Sequence, residues 1–203
     1  MHCLVTAGPT VEPIDEVRRL TNHSTGRLGC SLADALSRAG HRVTLLLSSS
    51  ALHVPRSKKV RVIRFSTTRE LGDHLKGTAS LKIKAIFHAA AISDFCVMNP
   101  RKGKISSAKG ITIQLKPTPK LIRNLRKTNS DAFIVGWKYE VSGDRKSAVD
   151  LARQQVNQCK TNLCVANGPA YGDGFGVVGD EVIHCADDRS LFRFLIKQIT
   201  SPQ

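Results

Sequence analysis

Short apolar runs alternate along this chain with longer amphipathic stretches of helical period, and few folds accommodate that alternation. Residues 3–7 (Cys-Leu-Val-Thr-Ala) are too brief for a stable helix and end at Gly8-Pro9-Thr10, a turn signal, so they read as a buried strand. Leu28, Leu32 and Leu36 then share one helical face, with Ser24 placed to cap that helix and Gly40 to stop it. The same logic predicts strands at 42–47, 60–65, 85–90, 132–137, 163–167 and 181–185. Further helices are expected from Thr68 to about Lys76, from Asp144 to about Gln158 with Leu151 and Val156 inward, and from about Asp188 with Leu191, Leu195 and Ile199 on one side. Strands separated by helices pair in parallel through right-handed crossovers. The expected class is therefore α/β: a single doubly wound, mostly parallel, Rossmann-like sheet forming one domain over residues 1–203. Such sheets bind ligands beyond the carboxyl ends of their strands. Residues 8–10, 89–94, 136–140 and 166–168 are thus the expected ligand edge.

Composition narrows the function classes. No apolar run approaches the ~18–20 residues of a membrane span. The opening residues read as a strand rather than a signal sequence, so a cytoplasmic protein with no membrane contact is expected. Six cysteines without a CxxC pair read as reduced thiols, and no His or Cys stands at metal-ligand spacing, so no metal site is predicted. A formal charge of +15 calls for an anionic partner, either nucleic acid or a small ligand carrying several phosphates. Aromatic residues make up only 5%, and no helix-turn-helix, zinc-finger or RNA-binding signature is present, which argues against nucleic acid.

Part of the positive charge is concentrated. From Phe95 to Ser130 there is no Asp or Glu, while Arg101, Lys102, Lys104, Lys109, Lys116, Lys120, Arg123, Arg126 and Lys127 accumulate. Its first part, about 95–117, reads as a basic flap arm following a central strand, with a strand-like stretch at 111–115. Beside a ligand edge, such a field concentrates phosphate-bearing molecules.

Gly8 follows the first strand directly, yet both the dinucleotide fingerprint GxGxxG and the P-loop are absent. Ser24-Thr25-Gly26-Arg27-Leu28-Gly29 supplies a glycine turn at a helix start, where free N–H groups favour an anion. Arg18, Asn22, Ser24 and Thr25 cluster there as groups suited to holding phosphate or carboxylate.

The stretch from Val5 to Gly29, Val-Thr-Ala-Gly-Pro-Thr-Val-Glu-Pro-Ile-Asp-Glu-Val-Arg-Arg-Leu-Thr-Asn-His-Ser-Thr-Gly-Arg-Leu-Gly, closely resembles the opening of the phosphopantothenoylcysteine synthetase family. Ala89-Ala90-Ala91-Ile92-Ser93-Asp94-Phe95 is similar to the A-A-V-A-D-Y/F segment of that family, and Lys104 falls at its flap lysine. Thr118-Pro119 resembles its T/N-P-D-I segment, Val135-Gly136 its V-G-F, and Val165-Ala166-Asn167 its A-N-D, so the likeness spans the chain in a form lacking the flavin decarboxylase domain.

The resemblance implies a coenzyme A pathway ligase with 4′-phosphopantothenate, cysteine and a nucleoside triphosphate as substrates. The phosphopantothenate carboxylate would attack the α-phosphate of CTP or ATP with Mg2+, releasing pyrophosphate. The cysteine amine would then displace the nucleoside monophosphate. Carried over by position, Asn22, Arg18 and Lys104 are the catalytic candidates. Gly8, Ser24, Thr25 and Gly26 would hold phosphates, while Ala90, Ala91, Asp94 and Trp137 would line the nucleotide or substrate pocket. The family also implies a homodimer. Three departures stand out: Lys120 replaces an acid, Lys138-Tyr139 replaces two small alanines, and Gly168 replaces an aspartate. They leave CTP against ATP open, and keep a non-catalytic or altered-substrate nucleotide binder and a basic nucleic-acid-binding protein as alternatives.

Overall fold

The computed structural model describes residues 1–108 and 110–200, so Lys109 of the basic arm lies outside the described residues. The chain opens with β1 (His2–Ala7), a small ribbon of β2 (Val11–Pro13) and β3 (Arg19–Thr21), and α1 (Arg27–Arg38). It continues through β4 (Arg42–Ser48), β5 (Arg61–Phe65), α2 (Thr68–Gly77) and β6 (Ala85–His88). The flap hairpin follows as β7 (Phe95–Val97) and β8 (Leu115–Pro117), then α3 (Ile122–Thr128), β9 (Phe133–Tyr139) and α4 (Arg145–Cys159). β10 (Leu163–Asn167), β11 (Phe175–Val178), β12 (Val182–Cys185) and α5 (Asp188–Thr200) complete it.

Eight strands form the main sheet in the order β12-β11-β10-β9-β6-β1-β4-β5. The six from β5 to β10 run parallel, and β11 and β12 close one edge as antiparallel strands. Because alternate side chains leave a strand on opposite faces, β1 feeds two cores. Val5 joins Phe87, Val135, Leu32 and Leu191 beneath α1 and α5. Leu4 joins Leu46, Ile86, Ile134, Leu71 and Leu125 beneath α2 and α3. Burial on both faces explains why the central strands read as nearly unbroken apolar runs. Among the described residues no helix is long and apolar enough to cross a membrane, and all six cysteines are free thiols. Burial pushes the Cys3 and Cys164 thiols up to about 12.

Several expectations shift. Ser24 does not cap α1: the cap is Gly26, at φ +76° and without a side-chain bond. The strand expected at 111–115 is displaced to Leu115–Pro117, which pairs with Phe95–Val97. On α4 the buried positions are Ala148, Ala152 and Cys159. Leu151 and Val156 are only half-buried, because the helix sits close on β10 and small residues fill the contact.

Candidate functional site

The chain leaves β1 toward β4 and later returns on its other side as β6, so the switch in strand order lies between these two strands. Their exits are zipped together: the Ala91 amide donates to the Gly8 carbonyl at 3.0 Å, and the Thr10 amide to the Ala91 carbonyl at 3.1 Å. Below them, Thr6 Oγ1 accepts from the Ala90 amide and faces His88 Nδ1, each at 3.1 Å. Burial lowers the pKa of His88 to about 4, so its imidazole is neutral at physiological pH. The Ser93 amide donates to Thr10 Oγ1 at 2.9 Å. The N–H groups of Ala90, Ala91 and Ser93 are thus spent within the protein. Neither alanine therefore has a free amide N–H to offer a ligand.

Asn22 follows β3 and reaches across the crevice, its Nδ2 donating to the Ile92 carbonyl at 3.0 Å. Arg18 is organised by Asp15, three residues before it in the chain. The Asp15 side chain is fully buried and takes the Arg18 guanidinium at 2.6 Å. It also accepts the amides of Val17, Arg18 and Ile105 at 2.8, 2.6 and 3.0 Å. These donors, the Ile105 amide foremost, hold its carboxyl well below the usual range. The guanidinium also donates to the Ile105 carbonyl at 3.0 Å, and the Arg101 amide to the Ile14 carbonyl at 3.0 Å. The flap arm is therefore docked by residues 101–105 on the Asp15–Arg18 loop. Lys104 stands exposed between Ile105 and the Gly103 carbonyl, which accepts from the Glu16 amide at 3.5 Å.

Asp15 fixes a testable property of the flap. A carboxyl depressed on folding contributes stability that is present above its unfolded pKa of about 3.9 and lost as pH falls through the folded value. Flap docking should hold at neutral pH and loosen only well below pH ~4. Asp15→Ala should release the backbone of residues 101–105, so that trypsin cuts after Arg101, Lys102 and Lys104 at neutral pH at least about tenfold faster than in the parent, since hydrogen bonds to an ionised carboxylate are among the stronger ones. Equal cleavage rates would show that Asp15 does not hold the flap.

Gly8 and Gly26 make the floor beside the α1 N-terminus. A Cβ on Gly8 would meet Ser48 Cβ at 2.7 Å, and one on Gly26 would meet the Gly8 Cα at 3.5 Å. Gly29 lets α1 close on β1, since its Cβ would meet Ala7 Cβ at 2.5 Å. Thr25 Oγ1 accepts from the Arg27 amide at 3.3 Å, and Ser24 is half-buried beside it. Trp137 packs with the core beneath α1 and α5, and its buried Nε1 has no partner among the described residues.

The three departures each have a local counterpart. Lys120 Nζ lies 2.5 Å from Asp94 Oδ1, and Lys138 Nζ lies 3.0 Å from Glu140 Oε1. Both added cations therefore neutralise acids at the strand exits instead of raising the local field. Gly168 adopts φ +106° with its Cα against Glu140, whose carbonyl a Cβ would meet at 2.5 Å. Tyr139, Asn167, Gly168, Phe175 and Arg189 bound a cavity of about 800 Å3 beyond β9 and β10. Thr118, matched in sequence only as part of a family segment, has a structural role: its hydroxyl donates to the Ser93 carbonyl at 2.5 Å.

A doubly wound sheet with an amide, a guanidinium and a basic flap gathered at its switch point defines an α/β protein whose ligand crevice, beyond the carboxyl ends of its strands, is lined by hydrogen-bond donors and cations. The model of the DNA/pantothenate metabolism flavoprotein C-terminal domain family matches residues 1–197, and the chain belongs to that family. It is 34% identical over 165 residues to the coenzyme A biosynthesis bifunctional protein CoaBC of Thermococcus kodakarensis, covering 81% of this chain and 40% of that protein. Against the protein of the same name from Methanocaldococcus jannaschii, identity is 32% over 175 residues, covering 85% and 42%. The chain thus spans about two fifths of the length of these relatives. The crystal structure of the DNA/pantothenate metabolism flavoprotein from Streptococcus pneumoniae superposes with a TM-score of 0.87 at 25% identity, covering 98% of each chain.

Proposed function

We propose that this chain is a phosphopantothenate–cysteine ligase, joining 4′-phosphopantothenate to cysteine through an acyl-nucleotide in coenzyme A biosynthesis. The observation that carries the reading is the Asn22 amide bonded to the Ile92 carbonyl over the switch-point crevice. Arg18 and the docked flap with Lys104 meet on the loop leading to it. In the first step a substrate carboxylate oxygen bonds to the α-phosphorus and pyrophosphate leaves with its bonding electrons. In the second, the amine nitrogen bonds to the acyl carbon and the nucleoside monophosphate leaves.

Neither step needs a side-chain nucleophile. Both need donors where negative charge gathers. Asn22 would donate to the acyl oxygen, and Lys104 would face the α-phosphate. Arg18 would act in the second step while keeping Asp15 neutralised. Gly8, Ser24, Thr25 and Gly26 would take phosphate oxygens where the α1 N-terminus begins. Magnesium would arrive on the nucleotide phosphates, its usual partners in phosphoryl-group chemistry. The exposed apolar residues Phe95, Met98, Ile113 and Leu115 on the flap hairpin support a homodimer formed through that hairpin. Sedimentation giving twice the chain mass would bear out the dimer, and a monomer would refute it.

The ligase reading is tested by pyrophosphate release from CTP and from ATP in the presence of 4′-phosphopantothenate, with and without cysteine. Release without cysteine, together with a trappable acyl-nucleotide, is the expected result, and the faster nucleotide identifies the cosubstrate. No release with either nucleotide would refute the ligase and favour a binding-only family member.

A further inference from the structure

Beside its apolar stripe, α1 carries a polar one. Arg27, Ser31, Asp34 and Arg38 recur at helical spacing and so share one side of the helix. Arg27 and Arg38 stand about 16 Å apart along its axis. This side opens on a cleft of about 500 Å3, to which α5 adds Arg189 and Phe192, and the loop after β4 adds His53, Val54 and Arg56. The cleft's Lys and Arg positions are all arginine: Arg27, Arg38, Arg56 and Arg189. Its acids leave most of that charge standing. Asp34 is buried and spends both carboxylate oxygens on backbone, taking the amides of Arg56 at 3.0 Å and Ser57 at 2.9 Å. It pins the loop without pairing with a guanidinium. Asp188 pairs with Arg27 alone, at 2.6 Å. Arg38, Arg56 and Arg189 have no acid partner among the described residues. The floor is uncharged: burial pushes the Cys30 thiol up to about 11, and it donates to the His53 carbonyl at 3.4 Å.

We propose that this cleft is a second anion site, separate from the switch-point crevice, and that it takes a small polyphosphate. A guanidinium offers phosphoryl oxygens two parallel N–H donors, which an ammonium cannot. A cleft that uses arginine at every Lys or Arg position is therefore matched to phosphate geometry as well as to negative charge. Guanidiniums at both ends of the α1 stripe suit an anion with several charges better than a single phosphate. Three unpaired cations in one cleft also repel one another, and an anion lying among them removes that repulsion. Nucleic acid fits less well, because the cleft is small and its one phenyl ring, Phe192, is buried and presents no face to a base. A bound polyphosphate would tie α1, α5 and the Asp34-pinned loop together.

The test titrates tripolyphosphate calorimetrically into the full-length chain, as wild type and as an Arg38→Ala/Arg56→Ala double variant. Both residues are exposed, so the variant should melt with the parent when no anion is present. Wild type should show a saturable binding event that the double variant loses or weakens by ~10-fold or more, the effect of removing charge-assisted hydrogen bonds. Arg38→Lys/Arg56→Lys keeps the charge without the fork and should also bind more weakly than wild type. No saturable binding to wild type, or equal affinity in wild type and the alanine variant, overturns the site. Parental affinity in the lysine variant overturns recognition by the guanidinium fork. Random duplex RNA that binds more tightly than tripolyphosphate, and loses that binding in the same variant, overturns the small-ligand assignment in favour of nucleic acid. The titration needs no turnover, so it decides the cleft whether or not the chain releases pyrophosphate from a nucleotide. Where it does, a raised nucleotide KM in the alanine variant would place the cleft within the crevice and overturn its separateness.

Discussion

Replacing Asn22 with alanine is expected to slow amide formation by ~10²–10³-fold in kcat, the usual cost of removing one donor aimed at a developing oxyanion. The chain should remain folded. Asn22 is exposed and makes a single side-chain bond, to the Ile92 carbonyl, so its loss removes only ~1 kcal/mol of stability. That separation makes the variant informative: the melting temperature stays near that of the parent while turnover collapses. Asn22→Asp sharpens the test. The carboxylate keeps the size of the amide but offers no donor and repels both the Ile92 carbonyl and a phosphorylated acyl group. It should be at least as slow as alanine. Product formation by either variant at the parental rate, measured with the better nucleotide and saturating cysteine, would remove Asn22 from the mechanism.

The elements legible in the sequence were those whose register is enforced by burial. Leu191, Leu195 and Ile199 recur at helical spacing because one stripe of α5 must meet the sheet, and all three are buried. β10 spans Leu163–Asn167 as its apolar run requires. The misses have a common cause, which is structure held by backbone polar groups. β11 (Phe175–Val178) is rich in glycine and valine beside a turn, and its strand character comes from pairing with β10. The β2–β3 ribbon is three residues per strand, too short for periodicity to register. At the site, residue types grouped Arg18 and Asn22 with the Ser24-Thr25 turn, and Lys104 joined them only through the family resemblance. A carboxylate spent on three backbone amides looks in sequence like any acid near an arginine, so the burial of Asp15 and its hold on the flap were not legible there. Lys120 and Lys138 read as added charge, and only their distances to Asp94 and Glu140 reveal two neutral pairs.

Gly168 yields the largest expected change in stability, and in a direction opposite to what the family resemblance suggests. Aspartate stands at this position in the family pattern, so Gly168→Asp looks like a restoration. The backbone here argues otherwise. At φ +106° the residue occupies a region that side chains rarely adopt, and a Cβ would lie 2.5 Å from the Glu140 carbonyl and 3.0 Å from its amide. Neither atom can yield readily. The Glu140 amide donates to the Asn167 carbonyl at 2.9 Å, and the Glu140 carbonyl accepts from Ala170 at 3.0 Å, so relieving the clash breaks the joint between β9 and the loop after β10. Backbone strain of ~1–3 kcal/mol adds to overpacking of similar size, for a total of about 2–5 kcal/mol. In a chain of this length that corresponds to a melting temperature lower by roughly 5–15 °C. The cost resides in the Cβ, so Gly168→Ala should fall nearly as far as Gly168→Asp. Both should perturb the cavity that Gly168 shares with Tyr139 and Asn167. An aspartate variant as stable as the parent, with alanine alone destabilised, would mean that the carboxylate finds a partner that repays the strain.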